Sequence, residues 1–186
     1  MALPELTEDK IELNSFLPED APQLAAIGNN PKVAQFLRDN FPSPYTLQQA
    51  EDFISMLTLE REPSVFAVRF NDELAGVAGV KLLEDVQRKT AEIGFWLGEE
   101  YWGKGIATEV CRQLIVFAFT YYDIIRLEAE VASPNKASVR VLKKNGFKRE
   151  AVLRKGFHKN GLNYDLLIFG LLKEELANSL FDGVTR

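Results

Sequence analysis

A chain of 186 residues with a net charge of −5, 46% hydrophobic and 26% charged, has the length of one ordinary domain and the make-up of a globular protein. No apolar run approaches the roughly 18–20 residues of a membrane span, the opening MALPELTEDK lacks a signal-peptide apolar region, and a single cysteine cannot form an internal disulfide; the expectation is a cytoplasmic single-domain protein without membrane contact. The acidic balance argues against a nucleic-acid partner, but residues 1–60 hold ten acids against three bases, whereas residues 136–159 hold nine Lys and Arg against Glu150 alone, which suggests a polyanion near the second segment.

In chain order, residues 10–16 alternate weakly and read as a first strand. PEDAPQLAAIG (18–28) is an amphipathic helix with acids in its first turn, and NNPKVAQFLRD gives a second, short one. Pro42 and Pro44 break the segment NFPSPYT, and Thr46 to Gln49 has capping-box spacing, opening a helix to about Leu59. SVFAVRF (64–70), LAGVAGVKLL (74–83) and AEIGFWL (91–97) read as three consecutive antiparallel strands, the first two joined at Asn71-Asp72. IATEVCRQLIVFAFTYY follows as a helix apolar on most sides and therefore expected to be buried. IRLEAEV (125–131) is a strand, ASVRVLKKNGF a short helix ending at Gly146, and two strands near 148–156 and 163–172 flank an Asn160-Gly161 turn. Helices, a meander, one crossover and a final hairpin predict a mixed α/β sheet rather than a doubly wound one.

Gly103-Lys104-Gly105, at a strand-to-helix junction, is the arrangement in which backbone amides approach a phosphate. A Walker A loop fails because no Ser or Thr follows the lysine. A dinucleotide fingerprint fits Gly103 and Gly105, with Thr108 in place of the third glycine and Glu128 or Glu130 as the acid about twenty residues on. Its position mid-chain, after an antiparallel meander and before a single crossover, speaks against it.

Trp102-Gly-Lys-Gly-Ile-Ala107 resembles motif A of the GCN5-related N-acetyltransferase (GNAT) superfamily, with the loop pattern R/Q-x-x-G-x-G/A: Gly105 and Ala107 match, and Trp102 departs. That departure, together with Asn135-Lys-Ala-Ser138, Lys144-Asn-Gly-Phe147 and LRDNFPSPYTLQQAEDFI (37–54), resembles the branch of ribosomal-protein N-terminal and spermidine acetyltransferases. The resemblance runs from about Lys10 to Glu175. It implies one GNAT domain over 1–186 with its core at about 10–175: a mostly antiparallel sheet of about seven strands with a splayed central parallel pair, flanked by helices. Acetyl-CoA is implied as co-substrate, without a metal, in direct transfer to an amine within a ternary complex.

The resemblance also implies site residues. The backbone of Gly103, Lys104, Gly105, Ala107 and Thr108 would hold the pyrophosphate, where a Cβ would keep a phosphate away and the helix dipole adds positive charge. Phe95, Trp96 and Leu97 would pair with the acetyl–pantetheine arm, an amide near Leu97 would donate to the oxyanion, and Asn135 would bond the pantetheine. The basic helix beyond Asn135 could meet the 3′-phosphate. The ammonium acceptor must lose a proton, and Glu92, sharing a strand face with Gly94 and Trp96, is the candidate base, ahead of Glu128 and Glu130. Leu142 stands where many relatives carry an acid tyrosine, which makes Ser138 the substitute proton donor or else an ordinary residue of the first helical turn. Arg38 and Phe41, with Tyr164 and Asp165 on the last strand, are candidates for the acceptor cleft. His158 reads as solvated and Cys111 as core. The acceptor is expected to be a protein or peptide N-terminus, then a polyamine, then a small amine such as an antibiotic; a non-catalytic acyl-CoA sensor is the rival from another class. A homodimer is compatible with all of these.

Overall fold

A computed structural model describes residues 10–59 and 64–176. The acids Glu5, Glu8, Asp9 and Glu60 counted above, and the opening nine residues, lie outside them. The described chain forms one seven-stranded sheet in the order β1-β2-β3-β4-β5-β7-β6. Its strands are β1 (Ile11–Asn14), β2 (Val65–Phe70), β3 (Glu73–Leu82), β4 (Thr90–Leu97), β5 (Arg126–Ala132), β6 (Lys148–Lys159) and β7 (Leu162–Leu172). Among the helices that accompany them are α1 (Ala21–Gly28), α2 (Pro31–Ala34), α3 (Leu47–Leu57), α4 (Ile106–Tyr121) and α5 (Lys136–Lys144). All pairings are antiparallel except β4 with β5. The expected mixed sheet with one central parallel pair is the fold observed.

Local chemistry accounts for most element ends. Asn71 and Asp72 both have positive φ (51° and 69°), the geometry whose twist suits a two-residue hairpin, and Asn tolerates it. Thr46 and Gln49 form the reciprocal capping box that opens α3. Helix α4 buries one face, with Val110, Cys111, Leu114, Ile115 and Ala118 all inaccessible against the sheet. Its other face leaves Val116 and Tyr121 about half exposed, so the apolar surround read from the sequence is a one-sided burial, its outer aromatics packing among themselves: Phe117 stacks on Tyr121 at 5.1 Å.

The feature that positions the site is where a ladder stops. β4 pairs with β5 only from Thr90↔Arg126 to Glu92↔Glu128, although β4 continues to Leu97 and β5 to Ala132. Meanwhile β3 holds β4 to Leu97 and β7 holds β5 to Ala132. The two central strands are each pinned on their outer side and splay after Glu92. Backbone on the facing edges is left without a strand partner, and unpaired edge groups are a template for another extended chain.

One polar contact fastens the N-terminal helices to this sheet. Asp20 is the one buried charged residue among those described, and Arg69 on β2 reaches both of its oxygens, at 3.0 and 2.8 Å, while the Leu17 N–H donates to Oδ2 at 2.8 Å. Removing one partner of a buried pair leaves a desolvated charge, at a cost of about 3 kcal/mol or more. Arg69→Ala should therefore lower the unfolding free energy by that amount, read as a lower urea midpoint at unchanged slope; a loss below about 1 kcal/mol would show that water replaces the guanidinium.

Candidate active site

The loop after β4 is built to expose amides. The Gly98 N–H returns to Ala75 O at 2.9 Å, a single turn over Glu99–Tyr101 follows, and Gly103 and Gly105 adopt φ of 75° and 81°. A Cβ on either glycine would meet nothing within 4 Å, so both face open space. No turn or cap hydrogen bond claims the N–H groups of residues 103–107 among the described residues, and they converge on the start of α4, where the dipole favours an anion. Trp102, the departure from the usual loop pattern, donates its indole N–H to Leu97 O at 2.9 Å and ties the loop to the end of β4.

One sequence expectation needs adjusting here. The Thr108 N–H already bonds Gly105 O at 3.0 Å, because the first turn of α4 is tight, so its amide is engaged although the residue still lines the cleft. The Lys104 side chain turns away, its ammonium 5.6 Å from the Phe70 ring centre and 5.7 Å from that of Tyr101, which leaves only its backbone facing the loop.

A cleft of about 630 Å³ runs from this loop along the splay. Phe95, Trp96 and Leu97 of β4 line one side, Gly103, Gly105, Ala107 and Thr108 the end, and Asn135 and Ser138 of α5 the other side. The structure thus brings together nine of the residues singled out from the sequence. The Asn135 Oδ1 caps α5 by accepting from the Ser138 N–H at 3.1 Å, leaving its amide NH₂ without a partner among the described residues. The Ser138 hydroxyl likewise makes no hydrogen bond among them. Leu142 is buried in the core at 1% exposure, and Val141 lines the cleft beside it.

Sequence reasoning missed part of the wall. Val33, Phe36 and Leu37, from α2 and the turn after it, close the cleft from the far end of the chain. Arg140 and Lys144, one helical turn apart on α5, also line it; the basic run pointed at them without singling them out.

A second cleft, of about 600 Å³, opens beside the earlier part of β4 and is lined by Arg38, Lys81, Glu92, Gly94 and Tyr122, among others. Its floor is low because Gly79 and Gly94 face each other across β3 and β4, and a Cβ at Gly94 would meet nothing. The clefts adjoin at two adjacent residue pairs: Leu37 lines the first and Arg38 the second, and Phe95 the first and Gly94 the second. Phe41 and Tyr164 line neither. Phe41 packs edge-on against Trp96 at 5.3 Å and Tyr45 at 5.2 Å; Tyr164 packs against Phe36 at 6.4 Å.

The carboxylates around the splay are differently partnered. Arg38 Nη2 is 2.6 Å from Glu92 Oε1 and 3.5 Å from Glu130 Oε2. Glu128 instead turns to Arg126 at 3.4 Å, which also forks onto Glu150. Burial pushes the Glu130 carboxyl above the ordinary carboxylate value; the charge of Glu92 adds to this, and Arg38 opposes it. Other groups are structural: burial raises the Cys111 thiol to about 12, which suits a core residue, and the His158 Nδ1 faces Asn163 Oδ1 at 2.8 Å on the exposed hairpin.

An unpaired strand edge leading to a run of free amides, with a carboxylate-bearing cleft adjoining it along the same strand, can hold an extended acyl thioester and an amine next to one another on β4. The sequence model of the acetyltransferase (GNAT) domain matches residues 10–148. The chain belongs to the GNAT family of N-acetyltransferases. An uncharacterized N-acetyltransferase, p20, of Bacillus licheniformis is 34% identical over 178 residues, covering 92% of this chain and 98% of that protein. YdaF of Bacillus subtilis, named a putative ribosomal N-acetyltransferase, is 39% identical over 106 residues, 57% of each chain. The spermidine N-acetyltransferase of Vibrio cholerae, solved with CoA and spermine, shares the fold with a TM-score of 0.76 at 20% identity, over 90% of this chain and 98% of that one. Among the described residues of this GNAT protein, no helix is long and apolar enough to cross a membrane.

Proposed function

We infer that this GNAT protein transfers the acetyl group of acetyl-CoA to a primary amine, a protein or peptide N-terminus before all others. The observation that carries the reading is the pair of clefts meeting along β4 where it leaves β5. In the first, the amides of residues 103–107 hold the pyrophosphate, Arg140 and Lys144 meet the 3′-phosphate, and the free edge of β4 from Phe95 to Leu97 pairs with the pantetheine arm, with an amide near Leu97 donating to the developing oxyanion. The Asn135 NH₂ bonds the arm from the α5 side. In the second cleft, Glu92 takes a proton from the acceptor ammonium. The freed nitrogen pair forms a bond to the thioester carbon and the carbon–sulfur bond breaks; the Ser138 hydroxyl gives its proton to the departing sulfur, and the second proton shed by the nitrogen restores the Ser138 hydroxyl. Holding the two reactants in contact supplies much of the acceleration.

The similarity to a protein named as a ribosomal N-acetyltransferase supports the N-terminal acceptor. The shared charge of Glu92 and Glu130 favours a second reading, a polyamine. Release of free thiol from acetyl-CoA, measured across peptides with free N-termini, polyamines and aminoglycosides, separates them. The expected result is saturable turnover with peptides at higher kcat/KM than with spermidine. A polyamine preferred over every peptide would replace the acceptor assignment, and saturable CoA binding without turnover on any amine would overturn the catalytic reading.

A further inference from the structure

Arg38 lies four residues beyond the end of α2, and its side chain is 62% exposed. Its polar partners are acids from two other elements, Glu92 on β4 and Glu130 on β5. Glu92 is the last β4 residue paired with β5, and Glu130 lies two residues beyond its partner Glu128, so the guanidinium sits at the mouth of the splay. It does so where the clefts adjoin, because Leu37 lines the first and Arg38 the second. An amine approaching a thioester held along β4 would pass the same place. A cation is therefore already held there by two carboxylates.

The neighbouring charges do not share this arrangement. Glu128 has Arg126, and Asp39, next in sequence to Arg38, is held by Lys159 from the β6–β7 hairpin at 2.8 Å. Lys81 lines the second cleft opposite Glu92 in the β3–β4 register and has no ion-pair partner among the described residues. An ion pair exposed to this degree holds weakly and yields to a competing cation. Arginine keeps its charge throughout the working pH range, so it leaves such a pair by displacement rather than by deprotonation.

The geometry points to Arg38 as a displaceable stand-in for the acceptor's ammonium: in the free protein its guanidinium bridges Glu92 and Glu130, and a primary ammonium entering from the second cleft takes its place and turns it out to solvent. This rests on the acetyltransferase reading for the direction of entry. The exchange keeps the two acids compensated in both states, and it admits a cation small enough to fit between them. Arg38 is thus a specificity residue that sets how tightly a primary ammonium is held.

The test uses the full chain, with and without CoA, titrated with alaninamide (a minimal N-terminal ammonium) and with spermidine, and followed by nuclear magnetic resonance. Arg38→Gln should bind both probes about five-fold tighter than the wild type, the scale of an exposed ion pair. Arg38→Lys, which restores a cation, should stay within about two-fold of the wild type on the same scale. Equal or weaker binding by Arg38→Gln overturns the proposal, as does the absence of detectable binding of either probe to any form. Arg38→Lys binding as tightly as Arg38→Gln would trace the effect to shape rather than charge and overturns it too. CoA affinity is read in the same samples. Its absence in the wild type strikes the acetyltransferase assignment, while the CoA-free titrations still decide the role of Arg38.

Discussion

Gly105→Glu should raise the dissociation constant for CoA by about 100-fold or more and leave the far-ultraviolet circular dichroism unchanged. The residue is the N-cap of α4 at φ 81°, so any side chain there carries left-handed strain of roughly 1–2 kcal/mol, which a domain of ordinary stability absorbs. The fold has no steric reason to fail, because a Cβ at this position meets nothing within 4 Å. What changes is charge. The new carboxylate would stand among the free amides of residues 103–107 and against the positive end of the helix dipole, capturing donors meant for the pyrophosphate and repelling it. Two unit charges about 4 Å apart near a protein surface repel by roughly 4 kcal/mol before salt screening, more than the factor predicted requires. Gly105→Ala separates the two effects, since it carries the strain without the charge, and its CoA affinity should fall less than ten-fold. Calorimetric titration of both variants decides the matter. Undiminished affinity in Gly105→Glu would mean that the phosphates are held elsewhere, with Arg140 and Lys144 the first alternative.

The two halves of the molecule differ in how openly the sequence announces them. The strands were legible because β2, β3 and β4 are short apolar runs bounded by polar segments, and Asn71-Asp72 supplies the φ > 0 pair that a tight hairpin needs. The phosphate loop was legible because glycine is the residue that adopts its positive-φ geometry without strain. Nothing in AEIGFWL or IRLEAEV shows that their pairing ends at Glu92↔Glu128; that follows from how β3 and β7 hold the outer edges, and it entered the reading only through family resemblance. The wall formed by Phe36 and Leu37 was hidden for the same reason, since residues about sixty positions before β4 meet it only in the folded chain. Local hydrogen bonding was also beyond pattern reading. The tight first turn of α4 takes the Thr108 amide, and two aromatic rings draw Lys104 aside, and neither is a matter of residue spacing. The basic run, by contrast, pointed at part of the wall: Arg140 and Lys144 line the cleft with the amide loop, whereas Glu92, in neither charged segment, lines the second cleft.

Glu92→Gln should lower kcat by about 100-fold near pH 7 and move the rise of the pH–rate profile upward, within the range that loss of a positioned base produces. Glutamine keeps the size of the side chain and an oxygen able to accept from Arg38, so the geometry at 2.6 Å survives while the capacity to take a proton does not. The rate then depends on the fraction of acceptor already present as free amine, which for an N-terminal amine grows until about pH 8. Glu130 makes the pH dependence diagnostic. Its carboxyl is held above the ordinary value by burial first and by the charge of Glu92 second, with Glu128 adding and Arg38 and Lys81 opposing. Neutralising Glu92 removes the second cause, so Glu130 would release its proton at lower pH than before. If Glu130 were the base, the acid limb in Glu92→Gln would therefore shift down with only a modest loss of kcat, and Glu130→Gln would carry the large loss instead. If Glu92 is the base, the limb shifts up and Glu130→Gln affects acceptor affinity more than kcat. Opposite directions of shift distinguish two carboxylates that share one guanidinium, and a profile unchanged in Glu92→Gln would remove Glu92 from proton transfer altogether.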